Sequence, residues 1–350
     1  LRSLAIFAGL LPAWFAQDLL AQAPVKPLTE AQVKDAKAII KGLSGSWSAA
    51  ELPHRVSQKY VEQVLLKHAR KYPTNTICFN TRLAGFRDLG THVEARVEPV
   101  EGGEARSIRA KYLVGADGAR SLVRKELGFS LEGEGSRQRE FMGGKMFALY
   151  LRAPQFLEVL PHPKAWMYVS VNHQRRAFMA SVDGIAEYAF HAALRPGEDA
   201  DQWTEDDARR VFAQAVGAEI PIEILSMGTW LAGNALFAQR FQQGRVFLAG
   251  DAAHLFTPTG GLGYNTAVED AVNLAWKLAD VVRGLAPQSL LDTYEAERKP
   301  VAERNTGYAR RFADSVGLFT ARPELEEASE RGEAERQVAM RHLNEHARLE

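Results

Sequence analysis

The chain has 350 residues, 46% hydrophobic and 25% charged, enough for two domains sharing a substantial core. Lys plus Arg equals Asp plus Glu at 43 each, so no global field recruits nucleic acid or an anionic membrane. The single Cys78 excludes an intrachain disulfide framework and an all-cysteine metal site, and it fits a reducing, cytoplasmic setting. Repeats, low-complexity tracts, zinc-ligand spacings, P-loops and serine-hydrolase signatures are absent from the sequence.

Residues 1–50 carry few chemical signals. Arg2, the apolar stretch from Leu4 to Phe15 and Ala21-Gln22-Ala23 have a signal-peptide look. An amphipathic core helix interrupted at Pro12 fits the same residues. The stretch is too short to cross a bilayer, which needs ~20 apolar residues. Thr29 to Gln32 followed by Val33, Ala36, Ile39 and Ile40 reads as a short capped helix. The start at Leu1 and the abrupt end at Glu350 suggest truncation at both ends.

Leu52 to Ser57 leads into a helix with Val61, Val64, Leu65 and His68 on one face. Alternation then predicts an antiparallel meander from Thr76-Ile77-Cys78-Phe79, Val93 to Val97 and Ser107 to Ala110, with turns at Asp88–Gly90 and Glu101–Gly103. A further strand, Tyr112 to Ala116, runs into Asp117-Gly118-Ala119-Arg120-Ser121-Leu122-Val123-Arg124. There an acid at a strand end can take backbone or hydroxyl donors at the start of a helix near Ser121. Arg120 and Arg124 could meet a phosphate or an internal carboxylate, with a purely structural Arg124–Asp117 network as the plain alternative. Between 129 and 244, strands at 141–151, 165–171, 177–182 and 222–230 surround a hairpin at Asn172–Arg175, with a helix over 205–216. Phe147, Tyr150, Trp166, Tyr168, Phe178 and Trp230 could line an apolar pocket, though in such strands each one alone is more often core. Arg175-Arg176 reads as a solvated turn.

The strongest signal lies in 244–284. Val246 to Ala249 suits a strand buried on both faces, and Gly250-Asp251 places an acid at its carboxyl end, where open α/β sheets bind ligands. A loop with Pro258, Gly260, Gly261 and Gly263 lets backbone approach a ligand closely. From about Thr266 a helical pattern runs to the stop at Gly284, so the loop delivers its ligand to a helix N-terminus, which favours negative charge.

The order GDAAH, P-x-GG-x-G-x-N, EDAxNLAWKL resembles the second FAD fingerprint of the group A flavoprotein monooxygenases, the p-hydroxybenzoate hydroxylase-like aromatic hydroxylases. The D-G-x-x-S-x-x-R pattern at 117–124 and the segment around Arg55 and Gln58 resemble the same family, and the likeness covers roughly 50–310. The family's opening G-x-G-x-x-G is missing. Leu4-Ala5-Ile6-Phe7-Ala8-Gly9 is the nearest imitation, with one glycine where three are needed.

The resemblance implies an α/β fold, a parallel-sheet FAD-binding domain split around an antiparallel substrate domain. The expected segments are 1–50 (atypical, its Rossmann unit missing), 51–130 and 241–310 (FAD-binding), 131–240 (substrate) and 311–350 (charged helical tail). It implies FAD as cofactor, NAD(P)H as co-substrate, and hydroxylation of a small phenolic aromatic compound by O2 through a flavin C4a-hydroperoxide. Arg55 and Gln58 would lie against the ribityl and phosphate portion, although a surface charge and a capping partner are their plain alternatives. The motif holding Asp117 and Arg120 would serve the FAD pyrophosphate region and NAD(P)H use. Asp251 would hold a ribityl hydroxyl, Pro258 to Gly263 would wall the ring, and amides from Gly261 and Leu262 to Asn265 would stabilise its negative charge. No catalytic base stands out; His254 is the best placed. Two further readings remain: a degenerate chain without activity, favoured by the missing glycines, and a flavin-dependent reductase or epoxidase.

Overall fold

The computed structural model describes residues 6–8, 56–135, 144–160, 164–317 and 319–347. The expected helix at 29–40 and Arg55 lie outside them. The chain divides into two units, Leu10–Pro73 and the remainder formed by Leu1–Gly9 with Thr74–Glu350. In the first unit, α1 (Gln58–Ala69) follows Ser57, which is extended and makes no side-chain cap. Gln58 Nε2 donates to Glu62 Oε1 at 2.6 Å, one turn on.

The second unit carries the sheets. A four-stranded sheet runs in the order β1 (Ile6–Ala8), β5 (Leu113–Ala116), β14 (Val246–Leu248), β13 (Gln242–Gln243). The first three strands are parallel, with Ile6 opposite Val114 and Leu248 opposite Gly115. Ile6–Ala8 therefore takes a strand position beside β5, where the sequence offered an interrupted helix as one alternative. Val246, Phe247 and Leu248 are wholly buried, as expected of a strand covered on both faces. Gly115 is required by packing. A Cβ there would sit 2.7 Å from Val123 Cβ in α2 (Leu122–Glu126), so helix and strand meet at backbone distance.

The meander exists, but its first strand is β2 (Thr81–Asp88), paired with β3 (Val93–Pro99), which pairs with β4 (Arg106–Ala110). The expected strand at 76–79 is irregular and exposes Ile77 and Phe79. The chain enters β2 through Asn80 with φ 52°, and a bulge between Leu83 and Gly85 resets the register. Strand propensity at 76–79 thus loses to pairing with β3.

After β6 (Leu131–Glu134) comes a five-stranded antiparallel sheet. It comprises β7 (Gly144–Arg152), β8 (Met167–Ser170), β9 (Ala177–Ser181), β10 (Glu187–Ala193) and β11 (Glu223–Ala232). Short α3 (Phe156–Val159) follows β7, and α4 (Glu205–Val216) covers one sheet face. Thr204 and Asp207 form a reciprocal capping box, and Gly217 closes α4 in the left-handed region at φ 77°. Phe147, Leu149, Phe190, Val211 and Phe212 build the core between sheet and helix. Tyr168 packs on this side too, against Phe156, so Phe147 and Tyr168 are core and not pocket wall.

Arg175-Arg176 is not a solvated turn. Arg175 is 3% exposed and grips Glu198 with both terminal nitrogens at 2.7 Å, while Asn172 Nδ2 ties the hairpin to Gln214 O at 3.0 Å. A bidentate pair offsets the desolvation that a lone buried guanidinium would suffer.

The chain then forms β12 (Ala235–Ala238), β15 (His254–Leu255), α5 (Leu262–Arg283), α6 (Asp292–Gly317) and α7 (Glu330–Ala347). Helix α5 begins a turn before the expected Thr266 and ends at Gly284, whose φ of 74° and N–H to Val281 O complete the cap. Among the described residues no helix is long and apolar enough to cross a membrane.

Candidate functional site

Both acidic motifs sit at the carboxyl edge of the parallel strands, Asp117 just after β5 and Asp251 three residues beyond β14. Asp117 is saturated by its own helix. Ser121 Oγ donates to Oδ1 at 2.5 Å, while Leu122 and Val123 N–H donate to Oδ2 at 2.7 and 3.1 Å. Buried Arg124 donates to Ala119 O and to Ala252 O, both at 2.8 Å. That second bond clamps the Asp117 turn onto the residue after Asp251. Burial pulls the Arg124 pKa down and Asp117 opposes it. Arg120 is exposed and makes no ion pair among the described residues.

Asp251 is set differently. Gly250 takes φ 61°, and a Cβ on it would lie 3.3 Å from Ala267 Cβ. The turn puts the Asp251 side chain at an exposed edge, backed by buried Ala252, Ala253 and His254. Among the described residues no donor reaches its carboxylate. Desolvation by the protein packed around the carboxyl raises its pKa, with His254 acting in the opposite direction. A carboxylate so placed calls for hydroxyl donors from outside the chain.

The loop after β15 brings the helix start to the same edge. Gly260 and Gly261 have φ 67° and 65°, and no atom lies within 4 Å of where a Gly261 Cβ would stand. Gly261 is the N-cap of the 22-residue α5 and supplies no side-chain cap, so the first amides after it keep their donors for a ligand. Pro258 is exposed, Leu262 and Gly263 are half-buried, and a Cβ on Gly263 would lie 3.6 Å from the Phe256 side chain. The Asn265 side chain turns inward, Nδ2 donating to Gly261 O at 2.6 Å, and so stiffens the turn.

Behind the loop lies a network that local sequence does not reveal. His254 Nε2 meets Asp270 Oδ2 at 2.6 Å, Gly250 N–H donates to the same oxygen at 3.1 Å, and Arg298 Nε donates to Asp270 Oδ1 at 2.8 Å. His254 and Asp270 are both 0% exposed. His254 therefore faces a carboxylate inside the protein, which suits a positioning role and not that of a base on a ligand. Burial disfavours the Arg298 charge, but bonds to Asp270 and Glu269 outweigh it and its pKa is raised. On α6, Tyr294 Oη donates to Leu248 O at 2.7 Å, and Ala309 O accepts from Thr259 Oγ1 at 2.5 Å. Helix α6 thus braces both the strand and the glycine loop.

These features fit a flavin at the edge: an acid with no donor among the described residues and so open to a ribityl hydroxyl, side-chain-free backbone for a flat ring, and an uncapped helix start for developing negative charge. Gln58 lies in the other unit and its amide is engaged with Glu62.

Known proteins point the same way. Residues 16–309 match the family model described as FAD binding domain. Aklavinone 12-hydroxylase RdmE from Streptomyces purpurascens is 38% identical over 270 residues, covering 74% of this chain and 48% of that protein. A 2,4-dichlorophenol 6-monooxygenase from Cupriavidus pinatubonensis is 34% identical over 262 residues, covering 73% and 42%. Among solved structures, an aklavinone-11 hydroxylase with FAD and aklavinone superimposes with TM-score 0.67 at 34% identity, covering 79% of this chain and 50% of that one. The chain spans about half the length of the curated relatives it matches. With residues 16–309 matched, the chain belongs to the FAD binding domain family, alongside proteins named as aromatic hydroxylases and monooxygenases.

Proposed function

We propose that this chain carries the flavin ring site and the substrate sheet of an aromatic monooxygenase that uses NAD(P)H and O2 to hydroxylate a phenolic compound. The observation that carries the reading is Asp251, a carboxylate with no donor among the described residues, beside the uncapped N-terminus of α5. Asp251 would accept from a ribityl hydroxyl, and the Pro258–Gly263 backbone would wall the ring. Amides from Gly261, Leu262 and Gly263 towards Asn265 would face its electron-rich edge. Arg120, exposed next to the Asp117 turn, is available to a phosphate. Asp117 acts through the helix it holds, and Arg55 and Gln58 keep the ribityl–phosphate role only as the family resemblance implies it. The flavin, when bound, supplies the oxygen-activating redox chemistry. The chain's part is to orient it, keep the site dry and place the aromatic ring.

A second reading, a chain without activity, is favoured by one observation: the sequence holds no G-x-G-x-x-G for the adenosine half. Isotopically labelled dioxygen separates the readings. With FAD, NAD(P)H and a phenolic substrate in excess, one labelled atom is expected in the product and the other in water. Product oxygen without the label would contradict monooxygenation, and the absence of both NAD(P)H oxidation and product would support the inactive reading.

A further inference from the structure

The face of the five-stranded sheet opposite α4 carries small residues beside aromatic ones. One row across four strands reads Gly228, Ala148, His191, Phe178, and Ala189 and Ala180 lie in the next row. All six are half-buried. The His191 ring stacks on Phe178 at 4.6 Å and 20° and meets Trp230 edge-on at 5.5 Å and 87°. Trp230 Nε1 donates to His191 Nδ1 at 3.0 Å.

An indole N–H can only donate, so Nδ1 must present its lone pair and the ring proton must sit on Nε2. Burial pushes the His191 pKa down to about 4, so the ring is neutral at neutral pH. Among the described residues nothing accepts from Nε2. The result is a single N–H donor of fixed direction on a sheet face of small and aromatic residues. Its place relative to the flavin loop is set by α6. Ala313 packs with Met146 in a cluster against which Trp230 and Phe178 lie, and Ala309 binds Thr259 of the loop. Those two alanines are one turn apart, roughly 6 Å along the helix.

We propose that His191 Nε2–H is the donor that positions an oxygen acceptor of the aromatic substrate, a ring carbonyl or phenolate, with Trp230 fixing the histidine tautomer. This rests on the hydroxylase reading above and adds to it a substrate class, oxygenated aromatics with an acceptor on the ring edge. His191 is a specificity residue here, and it takes no proton during the reaction.

The test is calorimetric titration of the FAD-supplemented full chain with alizarin, a hydroxylated anthraquinone, and with anthracene, which has the same rings and no oxygen. His191→Phe keeps a stacked ring and removes the donor. It is expected to weaken alizarin binding about tenfold or more (~1.4 kcal/mol per decade) and to leave anthracene binding unchanged. His191→Gln, which retains a donor, should restore most of the alizarin affinity, and Trp230→Phe should lose part of it. Equal weakening for both ligands would mark a structural role, and unchanged alizarin binding would remove the donor role; either overturns the inference while leaving the hydroxylase reading in place. A wild-type chain that binds neither ligand would count against the aromatic site itself, and against this inference with it.

Discussion

Asp270→Ala is expected to lower the unfolding free energy by about 3–5 kcal/mol, the usual cost of leaving a buried partner charge uncompensated. Asp270 is 0% exposed and joins three elements: the Gly250 amide, His254 and Arg298 of α6. Removing it orphans the Gly250 N–H and strips Arg298 to its bonds with Glu269 and Thr266 O. Against a typical domain stability of about 5–15 kcal/mol, that is a large share. The Gly250 turn aims Asp251, so any folded fraction should also bind flavin poorly. Urea unfolding of wild type and variant measures the effect. A loss below about 1 kcal/mol, ordinary for a surface substitution, would mean that the network is not the brace described here.

The second large effect concerns which flavin is held. On the proposed reading the ring and ribityl portion would meet Asp251 and the α5 N-terminus, whereas the glycine turn that brings a pyrophosphate to a helix start is missing from the sequence. FAD and FMN are therefore expected to bind this chain within about threefold of one another, since ~0.6 kcal/mol separates such affinities. Chain purified without added flavin should be colourless. Titration with each flavin, followed by its absorbance change, checks this. FAD binding about a hundredfold tighter than FMN would show the adenosine half gripped by chemistry outside the G-x-G-x-x-G pattern.

How much of this was legible in the sequence depends on how local the chemistry is. Val246 to Leu248, the left-handed glycines and the stop at Gly284 are short-range features, and the strand, loop and helix appear where those residues place them. The Asp117 turn was legible for the same reason, since all its donors lie within six residues. What escaped is held by distant partners. His254 reads as a candidate base until Asp270, 16 residues on, and Arg298, 28 beyond that, close around it. Arg175 reads as solvated until Glu198, 23 residues away, folds onto it. Strand β10 was missed because its alternation, Tyr188, Phe190 and Ala192 inward, is short and alanine-rich. With it went His191, whose pairing with Trp230 spans 39 residues and depends on the register of three strands.

The central claim is that a flavin sits at the edge formed by Asp251 and the start of α5. The measurement that tests it most directly is the flavin affinity of Asp251→Ala against wild type. A charge-assisted hydrogen bond in a partly dry site contributes about 1.5–3 kcal/mol, so the variant should bind FAD at least about tenfold more weakly. Its unfolding midpoint should stay close to the wild-type value, because no group in the described protein leans on that carboxylate. Unchanged flavin affinity in a folded Asp251→Ala chain would contradict the account and leave Asp251 as an ordinary residue at the end of a strand.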